Sequence, residues 1–234
     1  MISFVVPAYN EEQLIAATLD AIHTAARELA HPCEIIVADD ASTDRTAAIA
    51  REHGARVVAC EHRQIARVRN TGAHASTGDI LIFVDADTII STSVVRASLA
   101  ALDRGAVGGG ATLEIEGRVP LWSRPIIFAV SQSMRMFRWA AGCYVFCTRA
   151  AFDAIGGFDE RFYATEEIAF SRALKRVGRI VILRERVLTS GRKLRTHSAV
   201  DFLRLLLGVA TSGPGFLRRR DRLSVWYGER RDEP

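Results

Sequence analysis

Two carboxylates separated by one residue follow a short, strongly apolar stretch of this 234-residue chain. The stretch runs from Ile80 to Val84, and the acids are Asp85 and Asp87. Five apolar residues in a row predict a strand buried on both faces, as in the centre of a parallel sheet. If the backbone stays extended, both carboxylates lie on the same face of the strand, about 6–7 Å apart along the chain. One divalent cation could then bind between them. The alternative is that this segment only caps a helix beginning near Ser91.

Polar loops also follow two earlier predicted strands. Residues 2–6 lead into Tyr9-Asn10-Glu11, and residues 34–38 lead into Asp39-Asp40. The carboxyl ends of parallel strands meet at one edge of a sheet, so three such loops predict a shared pocket. Carboxylates around a cation, beside an aromatic ring, suit a nucleotide diphosphate, because the metal binds pyrophosphate while the other groups bind base and ribose. Helix capping remains open as the role of Asp40.

The elements that must position these residues alternate between strands and helices. Strands are predicted at residues 2–6, 34–38, 56–59 and 80–84, with helices at 12–29, 46–52, 65–75 and 91–102. This alternation predicts an α/β fold with a doubly wound, mostly parallel sheet and right-handed crossovers. No Gly-rich phosphate loop is present, which disfavours kinases and dinucleotide-dependent oxidoreductases.

The second half of the chain is predicted to be less regular. Residues 105–110 are rich in glycine and are expected to bend around a site, and 111–116 are expected to form an antiparallel strand. The remaining predicted elements are helices at 121–138 and 166–177, strands at 142–148, 180–183 and 187–190, and a Gly-Gly break within 152–158.

Composition and charge limit the class of protein. The chain is 49% apolar and 25% charged, as in an ordinary globular domain. No uninterrupted apolar run is long enough to predict a spanning helix, and the N-terminal segment, broken by Pro7, predicts a strand and not a signal peptide. The four cysteines include no C-x-x-C pair, which favours free thiols in a reducing, cytoplasmic location.

The last part of the chain, residues 199–234, differs from the rest. It has an apolar helical pattern at 200–209 and later arginines, among them Arg218-Arg219-Arg220. A basic amphipathic extension of this kind predicts peripheral contact with an anionic partner or with the inner membrane face. Nucleic acid is not expected, because aromatic residues do not alternate with the basic ones. Packing on the domain and an oligomer contact remain open.

Five segments, in this order, resemble the signatures of glycosyltransferase family 2. They are SFVVPAYNEE at residues 3–12, VADDASTD at 37–44, FVDAD at 83–87, GGFD at 156–159 and TEE at 165–167. The resemblance covers roughly residues 2–190. It implies a GT-A fold at residues 1–198, with a nucleotide-binding half at 1–104 and an acceptor half containing a smaller antiparallel element at 105–198. Residues 199–234 would form a helical C-terminal extension.

The resemblance also implies an activity. Family members transfer a sugar with inversion from a nucleotide-diphosphate sugar to an acceptor hydroxyl, assisted by Mg²⁺ or Mn²⁺. Membrane contact through the C-terminal extension would fit a lipid-linked or cell-envelope acceptor. Two other functions remain open. One is a non-catalytic module that binds a nucleotide sugar, and the other is a sugar nucleotidyltransferase, whose usual Gly-rich, Lys-containing first loop is absent.

Roles for individual residues follow from the matched motifs. On the donor side, the resemblance implies that Pro7 and Tyr9 border the base. It implies that Glu11 and Asp40 bind the nucleoside, with Asp39 as a weaker candidate. Arg69 and Arg192 would also contact the donor. The resemblance further implies that Asp85 faces the ribose or the metal, with Ala86 beside it, and that Asp87 is the principal metal ligand. Arg69 on a helix surface and Arg192 in a solvated basic turn are the alternatives.

An inverting transfer needs a base that takes the proton of the acceptor hydroxyl. The motif match assigns this role to Glu167, with Glu166 as the alternative. Glutamate at this position is one methylene longer than the usual aspartate, and the geometry of a base is sensitive at that scale. The non-catalytic interpretation is a pair of acids placed at a helix start by the helix dipole.

Overall fold

The computed structural model describes residues 1–117 and 119–196 and the single residues 201, 217 and 223. The strands are β1 (Ile2–Ala8), β2 (Cys33–Asp40), β3 (Arg56–Cys60), β4 (Ile80–Val84), β5 (Thr88–Ile89), β6 (Ala106–Glu116), β7 (Tyr144–Thr148) and β8 (Arg179–Ser190). The helices are α1 (Ile15–Leu29), α2 (Thr46–Glu52), α3 (Ile65–Ala75), α4 (Thr92–Asp103), α5 (Ser123–Phe137), α6 (Arg149–Ile155), α7 (Glu166–Val177) and α8 (Arg192–Thr196). Apart from those three single residues, the predicted C-terminal extension lies outside the described residues.

One eight-stranded sheet connects the two halves of the described chain, in the order β3-β2-β1-β4-β7-β6-β8-β5. β1 pairs in parallel with β2 and β4, and β2 pairs in parallel with β3. Because β2, β1 and β4 are neighbours, the loops at their carboxyl ends share one edge of the sheet, as predicted. The α/β class and the mostly parallel sheet are therefore confirmed.

Apolar helix faces cover both sides of this sheet. One core cluster contains residues of α1, α2 and α4, and a second contains residues of α3, α6 and α7. In the central strand β4, Leu81 and Phe83 pack into the second cluster, whereas Ile82 and Val84 pack into the first. This alternation explains why a continuous apolar run was the right signal for a strand buried on both faces.

The prediction of a glycine-rich bend at residues 105–110 was wrong. Gly108, Gly109 and Gly110 belong to β6, which pairs antiparallel with β7 and in parallel with β8. A side chain on Gly109 would collide with the carbonyl oxygen of Val181, so the glycines let neighbouring backbones approach closely within a strand. Residues 111–116 continue β6 and were wrongly assigned to a separate antiparallel strand.

Two further elements differ from the sequence prediction. β8 is one strand through residues 179–190, with a register shift opposite β6, and not two short strands. Helix α6 was missed because a Gly-Gly break was expected there. It begins after Thr148, whose hydroxyl accepts a hydrogen bond from the N–H of Ala151, and it ends at Ile155, before Gly156 with φ of 75°. Among the described residues, no helix combines the length and apolar character needed to cross a bilayer.

Candidate active site

Side chains join the loops that follow β1 and β2. The Asn10 carboxamide oxygen accepts a hydrogen bond from the N–H of Thr43 at 2.7 Å, and the Ser42 hydroxyl accepts one from the N–H of Asn10 at 2.9 Å. The Glu12 carboxylate accepts one from the N–H of Arg45 at 3.0 Å, and the Thr46 hydroxyl accepts one from the N–H of Glu11. These bonds hold the two loops in one fixed arrangement at the sheet edge.

The adjacent acids at the end of β2 differ in their bonding. Asp40 is buried, and its Oδ1 accepts hydrogen bonds from the backbone N–H groups of His62 and Arg63, at 2.6 and 3.1 Å. Asp39 is equally buried, but its Oδ1 has no hydrogen-bond partner among the described residues. A buried carboxylate oxygen without a donor is costly, so it is a candidate acceptor for a ligand N–H.

Two further contacts shape this side of the site. The guanidinium of Arg63, a residue that the sequence analysis did not single out, lies over the Tyr9 ring at 4.0 Å from its centroid. Glu11 and Arg192 form a bidentate ion pair, with N···O distances of 2.8 and 3.1 Å. Pro7 is buried within β1. Arg192 therefore comes to the edge formed by β1 and is not a solvated turn residue.

The segment from Asp85 to Asp87 is a turn and not an extension of β4. The N–H of Thr88 donates to the carbonyl of Asp85 at 3.0 Å, and the carbonyl of Ala86 accepts from Thr18 at 2.9 Å. The prediction of two carboxylates spaced along an extended backbone was therefore wrong. Burial raises the pKa of the nearby Cys143 thiol well above its ordinary value, and the charges of Asp85 and Asp87 raise it further.

A buried arginine connects this turn to the second half of the chain. Arg69 is 1% exposed and donates to Asp85 at 2.8 Å, to Glu166 at 2.6 Å and to the carbonyl of Gly142 at 2.8 Å. Burial disfavours its charge, but Asp85 and Glu166 outweigh burial and hold the pKa of Arg69 above its ordinary value. The predicted surface alternative for Arg69 is wrong.

The two glutamates at the start of α7 have different surroundings. Glu166 is buried in its ion pair with Arg69, whereas Glu167 is partly exposed. Loss of hydration, and then the neighbouring Glu166 charge, raise the pKa of Glu167 to about 8, although its own backbone N–H and Arg69 act in the opposite direction. A carboxylate with a raised pKa can accept a proton near neutral pH.

Two backbone features place Glu167 next to Arg69. A Cβ on Gly142 would lie 3.3 Å from Nη2 of Arg69 and 3.6 Å from Cδ of Glu167, so glycine leaves space for both groups. Thr165, which the sequence analysis did not single out, precedes the pair with φ of 62°. This left-handed conformation is strained for a β-branched residue, and such strain is found near functional sites.

Three other polar or aromatic side chains close to these residues in sequence have structural roles. Arg67 is exposed and pairs with Glu160 at 2.9 Å. The buried Asn70 side chain bonds both backbone groups of Phe158, at 2.9 Å each, and so fixes the loop before α7. Trp139 is partly exposed and has the guanidinium of Arg172 over its ring at 5.1 Å. None of these three side chains needs a ligand to explain its position.

The acids fit a hard divalent cation that a substrate helps to bind. The described residues contain no group of three or more His, Cys, Asp or Glu side chains placed to hold a metal ion. Asp85 and Asp87 provide two carboxylates, one of them also bonded to Arg69. Mg²⁺ sites in phosphate-binding enzymes commonly use one or two carboxylates together with substrate phosphates and water, so this donor set suits such an ion.

Comparison with known proteins places the chain in a family. The sequence model for "Glycosyl transferase family 2" matches residues 3–156. An undecaprenyl-phosphate 4-deoxy-4-formamido-L-arabinose transferase of Serratia proteamaculans is 35% identical over 98 residues, covering 37% of this chain and 28% of that protein. An uncharacterized glycosyltransferase of Mycobacterium bovis is 34% identical over 105 residues, or 45% of each chain. The matched part thus spans less than half of these relatives.

Solved structures show the same fold. A mannosyltransferase from Pyrobaculum calidifontis, in complex with GDP-Man and Mn²⁺, has a TM-score of 0.64 and 20% identity, covering 100% of this chain and 65% of its own. TarS 1-349 of S. aureus with UDP-GlcNAc has a TM-score of 0.64 and 18% identity, covering 97% and 73%. Both are GT-A glycosyltransferases, so the predicted GT-A fold is confirmed.

Proposed function

The chain belongs to glycosyltransferase family 2, and from this membership we propose that it transfers a sugar, with inversion, from a nucleotide-diphosphate sugar to an acceptor hydroxyl. The observation that carries the proposal is the bridge formed by Arg69. It joins Asp85, at the end of the central strand, to Glu166, at the start of α7. Acids that are 81 residues apart in sequence thereby form one site, with Glu167 at its partly exposed edge.

Donor binding falls to the first half of the chain, residues 1–104. The unpartnered oxygen of Asp39 offers an acceptor for a nucleobase N–H. Tyr9, whose ring packs against the Arg63 guanidinium, follows β1 at the same edge of the sheet. Asp40 instead supports the site, because its carboxylate is engaged by two backbone N–H groups. The pair formed by Glu11 and Arg192 lies at the same edge, where the arginine can contact the diphosphate.

Asp87 and Asp85 are the residues that would hold Mg²⁺ or Mn²⁺. When bound, the cation would neutralise the negative charge that develops on the leaving diphosphate. The structure of the Pyrobaculum mannosyltransferase in complex with GDP-Man and Mn²⁺ supports this assignment by analogy of fold. Arg69 keeps the Asp85 carboxylate oriented toward the site through its 2.8 Å bond.

Glu167 acts as the general base in this proposal. Its carboxylate takes the proton of the acceptor hydroxyl as the hydroxyl oxygen attacks the anomeric carbon, while the bond to the diphosphate breaks on the opposite face. Glu166 is less suited to this role because its charge is committed to Arg69.

The acceptor half, residues 105–198, would bind the second substrate. The Serratia relative is named as a transferase acting on undecaprenyl phosphate, which supports a lipid-linked or cell-envelope acceptor for this chain. A sugar nucleotidyltransferase gains no support from the fold neighbours, whose names describe glycosyl transfer or sugar-nucleotide complexes.

A thermal-shift panel of UDP, GDP, CDP and dTDP, each with and without Mn²⁺, tests the donor site. Ligand at about a hundredfold excess over Kd stabilises the folded protein by roughly 2.7 kcal/mol, which raises Tm by about 5–10 °C for a chain of this size. We expect one nucleotide to do so only with Mn²⁺, and Asp87→Ala to remove the effect. Asp103→Ala, at the exposed end of α4, is the matched control.

Nucleotide binding and sugar transfer can be refuted separately. If no nucleotide raises Tm in either the presence or the absence of Mn²⁺, the donor site is refuted. If a nucleotide binds but no sugar is transferred or hydrolysed from its sugar form across a panel of lipid-linked and soluble acceptors, the non-catalytic module replaces the enzyme.

A further inference from the structure

Helix α5 carries apolar side chains that the described protein covers only in part. Ile126, Ile127, Val130, Met134 and Phe137 recur at helical spacing and so lie along one face. None of these five is buried, and the only buried residue of the helix is Ser123. Val130 and Phe137 are exposed, whereas Ile126, Ile127 and Met134 are half-buried. A partly exposed apolar stripe on an amphipathic helix indicates an interaction surface.

A basic groove adjoins the end of α5. Two neighbouring cavities of about 410 and 350 Å³ share Arg138, Arg179 and Ile180 as lining residues. Arg135 and Lys175 complete the cationic lining, and neither cavity has an acid in its wall. Burial, with Arg138 and Arg172 nearby, lowers the pKa of Lys175, as expected where cations are crowded together without anions.

The sequence shows the same bias around this surface. Residues 117–152 contain five arginines and neither aspartate nor glutamate, although acids are common elsewhere in the chain. An apolar helix face flanked by uncompensated arginines is the combination that binds the interface of an anionic bilayer. We propose that α5 and the adjoining basic groove bind the surface of a membrane that contains anionic lipids.

Charge complementarity favours a membrane over two other occupants. The C-terminal residues 199–234 contain seven arginines against five acids, so this segment has no excess of negative charge to match the groove. A second copy of the chain, paired symmetrically through this surface, would place the four cations of one groove opposite those of the other. An anionic lipid surface provides both the negative charge and the apolar layer.

The surface lies away from the acid cluster, so the inference does not rest on the proposed reaction. Lys175 is eight residues beyond Glu167 on α7, or about 12 Å along the helix axis. Membrane binding can therefore be measured without any substrate.

Vesicle flotation with the full chain tests the proposal. We expect the protein to float with vesicles of phosphatidylcholine mixed with phosphatidylglycerol, to stay behind with phosphatidylcholine alone, and to be released by high salt. Replacing two groove arginines, Arg138→Gln with Arg179→Gln, should weaken partitioning about thirtyfold, because each cation near an anionic surface contributes about fivefold. Val130→Asp should weaken it as well, through the apolar stripe.

Two control variants make the result decisive. Arg96→Glu, on the exposed surface of α4, should leave partitioning unchanged, and thermal melts should show every variant folded. The proposal is overturned if the groove variants float like the wild type while Glu replacements at Arg218, Arg219 and Arg220 abolish flotation, because the tail would then be the anchor. It is equally overturned if inorganic phosphate binds the groove but no vesicle does.

Discussion

Two regions of the candidate site are held together in opposite ways. The loops after β1 and β2 are joined by many hydrogen bonds between side chains and nearby backbone, such as those of Asn10 with Ser42 and Thr43. The region at Asp85 and Glu166 depends instead on one buried guanidinium, that of Arg69, which reaches three separate segments. We call the first the loop network and the second the arginine bridge.

The two regions should respond differently to the loss of one side chain. In the loop network, losing one bond leaves the others, and each contributes about 1 kcal/mol. In the arginine bridge, losing Arg69 leaves the carboxylate of Glu166 buried without its counter-charge, and such a charge is expensive. The nucleotide side should therefore tolerate single substitutions, whereas the junction with the base should not.

The largest expected effect is that of Arg69→Ala. Removing one partner of a buried ion pair typically costs about 3–5 kcal/mol, so we expect a loss of this order in the free energy of unfolding, measured by urea denaturation. Activity should fall as well, because Asp85 and Glu166 lose their shared positioning group. The matched control is Arg67→Ala in the same helix, where the pair with Glu160 is exposed and no measurable change is expected.

The same two variants could also contradict the proposed difference between the arginine bridge and the loop network. If Arg69→Ala and Arg67→Ala unfold at the same urea concentration, the bridge is not a stabilising element, and Asp85 and Glu166 must be held by other contacts. Arg69→Lys separates charge from shape, because lysine cannot donate to Asp85, Glu166 and Gly142 in the planar geometry of arginine. It should recover only part of the lost stability.

Glu167→Gln should have the next largest effect. It should lower activity but raise stability. Loss of a general base should lower kcat/KM about a hundredfold or more. The folded-state pKa of about 8 lies above that of an unfolded glutamate, so ionisation of Glu167 lowers stability as pH rises from about 5 to 8. The Gln variant should therefore be more stable than the wild type near pH 8.

The pH dependence of the wild type provides the measurement. We expect kcat/KM for the acceptor to rise with pH and level off above about pH 8, and the Gln variant to lose this rise. Glu166→Gln is the comparison, since it removes the charge that Arg69 binds and should lower stability. If Glu166→Gln is inactive at a pH where it is folded, while Glu167→Gln remains active, the roles of the two glutamates are exchanged.

The sequence predicted the fold better than it predicted the site. Helices α2 and α3 and strand β4 were located to the residue, because local apolar periodicity determines such elements. The partner of Arg69 could not be predicted, since the contact with Glu166 spans 97 residues and depends on tertiary packing. The glycines of β6 led to a wrong prediction because the reason that glycine is needed there, close approach of β8, is also non-local.

The adjacent acids Asp39 and Asp40 show the same limit within the loop network. A sequence motif cannot distinguish which of two neighbouring carboxylates is satisfied by the protein and which is left for a ligand. The motif match favoured Asp40 as the nucleoside ligand, whereas in the structure Asp40 accepts from His62 and Arg63 and Asp39 keeps an unpartnered oxygen.

Alanine variants of these two residues give the smallest and most selective of the expected effects. Asp40→Ala leaves two backbone N–H groups without their acceptor, so the free energy of unfolding should fall by about 1–3 kcal/mol. Asp39→Ala breaks no bond at Oδ1 and removes a costly buried oxygen, so stability should not fall, while nucleotide affinity falls about tenfold or more. Urea denaturation and calorimetric titration measure the two quantities. The opposite pattern, with affinity lost only in a stable Asp40→Ala, would return the nucleoside to Asp40 and make Asp39 the supporting residue.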